Sequence, residues 1–238
     1  MANCFTDESD LFLTYRIINK EGKFANEKKY QYVKFKESIT SYGGQKTDEN
    51  FYYFKINDKV GLLDENLNII VEPKYSQIGK FNEGLALVAN EYRKYGFIDT
   101  KGKEIIPLIY DNANFFSEGL APVVKNGKWG FINKKNNVFI DFQYTGNMKP
   151  FSDGLALFRK NKSLTSKTES NEDKCGFINK KGELIIEPIF YDAENFKNGV
   201  AVIAINGFYF LIDKKGNRFK LYKDEFYRKE EIGTEIED

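Results

Sequence analysis

Apolar and polar residues alternate over short stretches of this chain, and the alternation recurs in blocks. In Trp129-Gly130-Phe131-Ile132-Asn133, Trp129, Phe131 and Asn133 share one face and Ile132 takes the other, which predicts a strand. A four-residue turn follows, as in Asp99-Thr100-Lys101-Gly102, Asn133-Lys134-Lys135-Asn136, Asn179-Lys180-Lys181-Gly182 and Asp213-Lys214-Lys215-Gly216. Asp or Asn opens a type I turn by bonding the backbone ahead, and Gly or Asn in fourth place accepts the left-handed conformation of a G1 bulge. The copy at Asp64 has Leu67 where glycine is expected, which makes Asn66 the candidate for positive φ. The return strand is β-branched (Ile69-Ile70-Val71, Ile105-Ile106, Leu184-Ile185-Ile186) and is expected to end at Pro73, Pro107 or Pro188. A second turn, Asn82-Glu83-Gly84 or Ser117-Glu118-Gly119, introduces a third strand such as Leu85-Ala86-Leu87-Val88. Each unit therefore reads as a meander of about three short strands. Helical periodicity is absent except over Lys223 to Glu237, a charged stretch compatible with a short helix or a loose tail.

The blocks are repeats. The first signature appears as KVGLLDENLNIIVEPKY, KYGFIDTKGKEIIPLIY, KWGFINKKNNVFIDFQY and KCGFINKKGELIIEPIF, and the second as FNEGLALV, FSEGLAPV, FSDGLALF and FKNGVAVI. The glycines of the first signature are Gly61, Gly96, Gly130 and Gly176; those of the second are Gly84, Gly119, Gly154 and Gly199. Spacings are 34 or 35 residues until the last step, which is 46 and 45. The surplus falls in Arg159–Lys174, which reads as an inserted surface loop. Ser41–Asn50, with Gly43-Gly44, reads as another. Worn copies lie at Tyr15–Gly22 and Tyr209–Gly216, where Arg16 and Phe210 replace the first glycine, as expected of terminal repeats. The predicted organisation is a lead-in at 1–14, an array at 15–221 and a charged tail at 222–238. Within the array, units fall at 15–56, 57–91, 92–124, 125–173 and 174–203, with a half-unit at 204–221. A unit of this size is too small for its own core, so neighbours must share aromatics, Phe81, Phe116, Phe151 and Phe196 among them.

Aromatic-Gly-Phe-Ile-Asp/Asn-x-Lys-Gly, a β-branched strand and Phe-x-Glu-Gly-Leu-Ala-x-Val together closely resemble the WG repeat family of bacterial proteins, also called KWG repeats. Lys128-Trp129-Gly130-Phe131-Ile132 and Phe116-Ser117-Glu118-Gly119-Leu120-Ala121 match best, and the resemblance runs from about Tyr15 to about Leu221. The name-giving Trp is kept only at Trp129, with Val60, Tyr95 and Cys175 in its place elsewhere. The resemblance implies a β-rich tandem array that binds proteins, and it brings no catalytic residues.

Charge and composition narrow the function. The chain has 36 Lys and Arg against 35 Asp and Glu, a net of +1, without the basic excess expected of a partner of duplex nucleic acid or anionic membrane. With no histidine, the commonest general base, a frequent metal ligand and the Ser-His-Asp and Cys-His arrangements are excluded. Cys4 and Cys175 could form one disulfide but lack metal-site spacing, and Cys175 reads as a small core residue in the Trp position. No apolar run reaches membrane-spanning length, and no basic region precedes an apolar one at the N-terminus, so a cytoplasmic location is expected.

Three sharper readings compete with packing and turn chemistry. Val124-Lys125-Asn126-Gly127-Lys128 is a hairpin turn rather than a phosphate cradle, because no Gly-rich loop precedes a helix. Glu83, Glu118 and Asp153, with Asp64, Asp99 and Asp213, could form a calcium row. Asn133, Asn179 and Asn198 stand in equivalent places, which turn formation explains and metal ligation does not. Aromatics caging a sugar would have to be exposed Tyr or Trp, whereas most here fall at apolar strand positions.

The expected fold is all-β, a tandem array of about five three-stranded antiparallel meanders, open and solenoid-like. A small closed β-propeller is the alternative, since propeller blades usually run to ~40–45 residues with four strands. The expected function is a non-catalytic repeat scaffold binding a protein or peptide partner, with carbohydrate or cell-wall binding as the alternative. An enzyme would require a cleft of converging carboxylates. No catalytic, cofactor-binding or metal-binding residue is predicted, and neither nucleic acid nor membrane is an expected partner. The Arg159–Lys174 and Ser41–Asn50 loops are the expected partner-specific elements.

Overall fold

The computed structural model describes residues 4–6, 15–17, 21–23, 34–36, 51–56, 58–66, 68–160 and 174–220. Ser41–Asn50, most of the Arg159–Lys174 insertion, most of the lead-in and the charged tail lie outside the described residues. The chain divides into two compact units, Met1–Phe115 and Phe116–Asp238.

In the first unit, β1 (Cys4–Thr6) pairs with β2 (Tyr15–Ile17). A four-stranded sheet follows from β3 (Lys34–Lys36), β4 (Tyr52–Ile56), β5 (Lys59–Leu63) and β6 (Ile69–Tyr75). The next holds β7 (Gln77–Asn82), β8 (Leu85–Ala89), β9 (Tyr95–Asp99) and β10 (Glu104–Tyr110), and β11 (Asn112–Ala113) comes after it. In the second unit, β12 (Leu120–Lys125), β13 (Lys128–Asn133) and β14 (Val138–Tyr144) run consecutively in one sheet. Two four-stranded sheets complete it. One contains β15 (Asn147–Met148), β16 (Leu155–Lys160), β17 (Lys174–Asn179) and β18 (Leu184–Phe190). The other contains β19 (Asp192–Ala193), β20 (Val200–Ile205), β21 (Phe208–Asp213) and β22 (Arg218–Lys220).

The chain is thus an all-β tandem array of antiparallel meanders, with strands paired in chain order and each sheet open at two edges. Where three strands per unit were expected, a short fourth is present. It is only two residues long at β15 and β19, which is how four strands fit a 35-residue period. The phase also differs from the sequence repeat. One first signature and its return strand close a sheet, and the second signature that follows opens the next.

Pro73, Pro107 and Pro188 do not end the return strand. They lie inside β6, β10 and β18, at shifts of register on edge strands where a missing N–H breaks no ladder. The same irregularity accounts for the glycine of the first signature. A methyl group at Gly130 would lie 2.7 Å from the Ile140 carbonyl oxygen, and one at Gly176 2.6 Å from that of Ile186. The bulged strand crosses so close that only a hydrogen fits.

The core lies between sheets. Trp129 and Phe131 of β13 pack against Phe151, Phe158 and Ile178 of the following sheet, with Phe131 and Phe151 centroids 4.7 Å apart. Phe177 meets Phe196 at 4.8 Å in the next layer, where Leu155 and Leu157 face Ala201, Ile203 and Ile212. In the first unit, Leu62, Val71 and Tyr75 pack on Ile78, Phe81, Ala86, Val88 and Ile98. Phe116, Phe151 and Phe196 are essentially inaccessible, as shared packing requires.

Candidate interaction surface

Two families of turns shape the surface. The second-signature turn is a two-residue hairpin: Ser117 and Leu120 exchange both backbone hydrogen bonds, and Glu118 and Gly119 have φ of 54° and 83°. Both central residues are left-handed, as in a type I′ turn. Asp153-Gly154 and Asn198-Gly199 repeat the geometry.

A left-handed Glu is unfavourable, and its partners show what holds it there. The Glu118 carboxylate accepts the Gly154 N–H at 3.0 and 3.2 Å and pairs with the Lys180 ammonium at 3.1 Å. The Asp153 carboxylate accepts the Gly199 N–H at 2.7 Å. Beside them, the Ser117 and Ser152 hydroxyls donate to the Phe151 and Phe196 carbonyls at 2.7 and 2.6 Å. The first two second-signature turns of the second unit are therefore each tied to the next by a carboxylate and a hydroxyl. Their sequence signal was the recurrence of Ser-Glu-Gly and Ser-Asp-Gly itself. Among the described residues, no group of three or more His, Cys, Asp or Glu is placed to hold a metal ion.

The first-signature turns form as expected. Asp99 and Asn179 each accept two backbone N–H groups on Oδ1, at 2.9 and 2.9 Å and at 2.9 and 3.0 Å, and Gly102 and Gly182 have φ of 77° and 78°. Asn133 does the same for Lys135 and Asn137, with Asn136 at φ 63°. At Asp213, partial burial pushes the carboxyl pKa upward, but bonds from Asn217 and Lys215 outweigh it and hold the pKa below the usual range. Asp64 bonds Asn66 and Asn68 similarly, yet Asn66 is not among the described residues with positive φ, and Leu67 lies outside them. Sequence reading missed one turn of this kind. Asn90 accepts the Tyr92 and Lys94 N–H groups, with Arg93 left-handed at φ 55°.

Each first-signature turn in the second unit carries two lysines: Lys134 and Lys135, Lys180 and Lys181, Lys214 and Lys215. All but Lys180 are exposed. The tips of the last two of these turns lean on the sheet before them. Tyr144 donates its hydroxyl to the Gly182 carbonyl at 2.7 Å, and a methyl at Gly216 would lie 3.9 Å from Ile186. Immediately after two of these turns come exposed apolar pairs on edge strands, Val138 and Phe139 (55 % exposed) on β14, and Leu184 and Ile185 (41 %) on β18. Ile189 of β18 is 61 % exposed, and β10 of the first unit presents Ile105 and Ile109 in the same strand positions.

The remaining candidates are placed as follows. Arg159, Lys160 and Lys174 belong to paired strands rather than to a loop, with Arg159 opposite Cys175 and Lys160 opposite Lys174. Arg159 is anchored to Asp192 at 2.5 Å. Cys175 is buried and forms no disulfide. Among the tyrosines, Tyr92, Tyr191 and Tyr209 are more than half exposed, and Tyr191 and Tyr209 flank Ala204 in the last sheet. Among the described residues, no helix is long and apolar enough to cross a membrane.

No curated protein matches the chain. Among solved structures it is similar to the computationally designed Ika8 protein, at 10 % identity and a TM-score of 0.48, covering 92 % of this chain and 73 % of that one. It is also similar to the WD40 β-propeller domain of Doa1 (9 %, TM-score 0.40, 74 % and 67 % covered). BamB from Moraxella catarrhalis is a third (7 %, TM-score 0.41, 92 % and 75 % covered). The WG-containing repeat model matches four times, at residues 61–92, 95–129, 129–162 and 176–207, which together exceed half of the chain. Those matches hold the close-approach glycines and the linked second-signature turns described above, and the chain belongs to the WG-containing repeat family.

Proposed function

We propose that this protein is a non-catalytic scaffold that binds a protein or peptide partner. The observation that carries the reading is the recurrence of exposed apolar side chains on edge strands: Ile105 and Ile109, Val138 and Phe139, and Leu184, Ile185 and Ile189. An edge strand with apolar exposed residues is a surface that soluble proteins otherwise cover or charge. Its recurrence from sheet to sheet suits a repeat array used as a recognition surface. The charged groups do not compete with this reading. Glu118 and Asp153 are engaged in turn-to-turn bonds, and Asp99 and Asp213 in bonds within their own turns.

Affinity capture from the source cell's lysate tests the proposal, with the full chain beside a Phe139→Ser/Ile185→Ser variant checked for unchanged circular dichroism. Proteins retained by the full chain and lost from the variant support it. Retention of nothing beyond the bare matrix, together with binding on a glycan array, replaces it with the carbohydrate reading.

A further inference from the structure

The lysine-bearing turns of the second unit carry more positive charge than their fold needs. An Asx turn requires an oxygen acceptor in first place, and either Asp or Asn supplies one. Asp213 supplies it with a negative charge, whereas Asn133 and Asn179 make the same two backbone bonds without one. Turn 133–136 therefore bears two cations and no anion. Turn 179–182 bears two cations, with Lys180 partly neutralised by Glu118 and Glu183 bonded to the Asn179 amide at 2.7 Å. Turn 213–216 bears two cations and Asp213. In a chain whose net charge is only +1, the three turns hold six lysines against Asp213, with Glu183 directly beyond one turn and Asp141 and Glu187 on the strands that follow. Lys135, Lys181 and Lys215 hold the same place in three successive turns, and all three are exposed.

The cations are interleaved with apolar groups. Val138 and Phe139 stand directly beyond turn 133–136, and Leu184 and Ile185 directly beyond turn 179–182. A uniform polyanion would use the lysines and leave these side chains in water. A segment alternating acidic and apolar residues would use both, pairing carboxylates with Lys135, Lys181 and Lys215 while covering Phe139 and Ile185. We infer that this edge of the second unit is the docking surface for an acidic, apolar-interspersed segment of a partner protein. The inference rests on the scaffold reading and specifies its partner chemistry and its surface. Exposed charge pairs contribute little singly, so the lysines set charge preference and encounter rate, and the apolar side chains hold the complex.

The test is fluorescence anisotropy with a labelled synthetic peptide of alternating Glu and Leu, beside polyglutamate and a single-stranded oligodeoxythymidine. The full chain is compared with Lys135→Glu/Lys181→Glu/Lys215→Glu and with Phe139→Ser/Ile185→Ser, each checked by circular dichroism and urea midpoint. The expected result is binding of the Glu-Leu peptide, weaker binding of polyglutamate, and about tenfold or greater loss of affinity in the lysine variant. No peptide binding, equal binding by the lysine variant, or tighter binding of the oligonucleotide overturns the inference. The lysine variant is also taken through affinity capture. Partner proteins that it still retains show that the scaffold reading holds while this surface is misassigned. Capture of nothing by the full chain shows that the scaffold reading itself has failed.

Discussion

Gly130→Ala and Gly127→Ala lie three residues apart in one hairpin and disturb it for different reasons. A methyl at residue 130 would sit 2.7 Å from the Ile140 carbonyl oxygen, 3.0 Å from Cδ1 of Phe142 and 3.1 Å from the Asp141 carbonyl carbon. Two of those neighbours are backbone atoms of β14, so the strand itself must move. Overpacking in a rigid site costs ~1–3 kcal/mol, and a backbone clash belongs at the upper end, about 3 kcal/mol. At residue 127 nothing lies within 4 Å of the added methyl, but φ is +72°. The cost there is only the left-handed conformation of a residue with a Cβ, about 1 kcal/mol. With a urea m-value of about 2 kcal/mol/M, Gly130→Ala should lower the midpoint by about 1.5 M and Gly127→Ala by about 0.5 M. Trp129 is the only tryptophan and is buried between the two sites, so its fluorescence reports the local transition. If Gly130→Ala proves no more costly than Gly127→Ala, the close approach of the bulged edge strand is not what requires the first-signature glycine.

Tyr75→Phe should stabilise the protein by about 1 kcal/mol in thermal or urea unfolding, because the buried Tyr75 hydroxyl has no hydrogen-bond partner and its removal ends an uncompensated desolvation. Burial, with a smaller push from Glu104, raises the Tyr75 pKa from 10.0 to about 12. Above pH 10 the unfolded chain therefore binds fewer protons than the folded one, and stability falls with rising pH through that window. Tyr75→Phe should make that alkaline fall shallower in urea titrations. Glu118→Ala should cost about 1–2 kcal/mol by removing the acceptor of the Gly154 N–H and the partner of Lys180, while Glu118→Gln, which keeps an acceptor, should cost less; equal urea midpoints for the two would refute the turn-to-turn bond. Asn133→Asp preserves the turn acceptor, so its stability should stay within about 0.5 kcal/mol of the parent, yet its added charge should weaken Glu-Leu peptide binding by anisotropy.

Much of this fold was legible because the repeat states each local requirement several times. Asx residues opening turns, left-handed Gly or Asn closing them and Phe shared between layers each follow from chemistry within a few positions. The first-signature turns at Asp99, Asn133, Asn179 and Asp213 form as their residues require. What failed to show was non-local. Proline was expected to end the return strand, because a proline lacks a donor whatever surrounds it. Only the sheet reveals that Pro107 and Pro188 occupy an edge, where the missing donor is harmless and the chain continues. The short strands β15 and β19 carry too few residues for any periodicity to betray them.

The candidate surface was hidden for a related reason. Composition averages charge over the whole chain, and a net of +1 reads as featureless. The fold sorts those charges by what they bond. Glu118 and Asp153 accept backbone N–H groups of the following turn, and Asp213 those of its own, so these anions are engaged in holding structure. Lys135, Lys181 and Lys215 lie in turns whose geometry depends on the residue before the lysine pair and on the left-handed residue after it, and makes no use of the ammonium groups. A recurring lysine that turn formation does not require is a different kind of signal from a recurring glycine or aspartate that it does. The same distinction applies to Phe139 and Ile185, which recur as apolar residues on the outer strand although the shared core is filled by Ile140 and Ile186 beside them. Subtracting what the array needs in order to stand leaves cations and exposed apolar groups along one edge of the second unit, and recognition is assigned to that remainder.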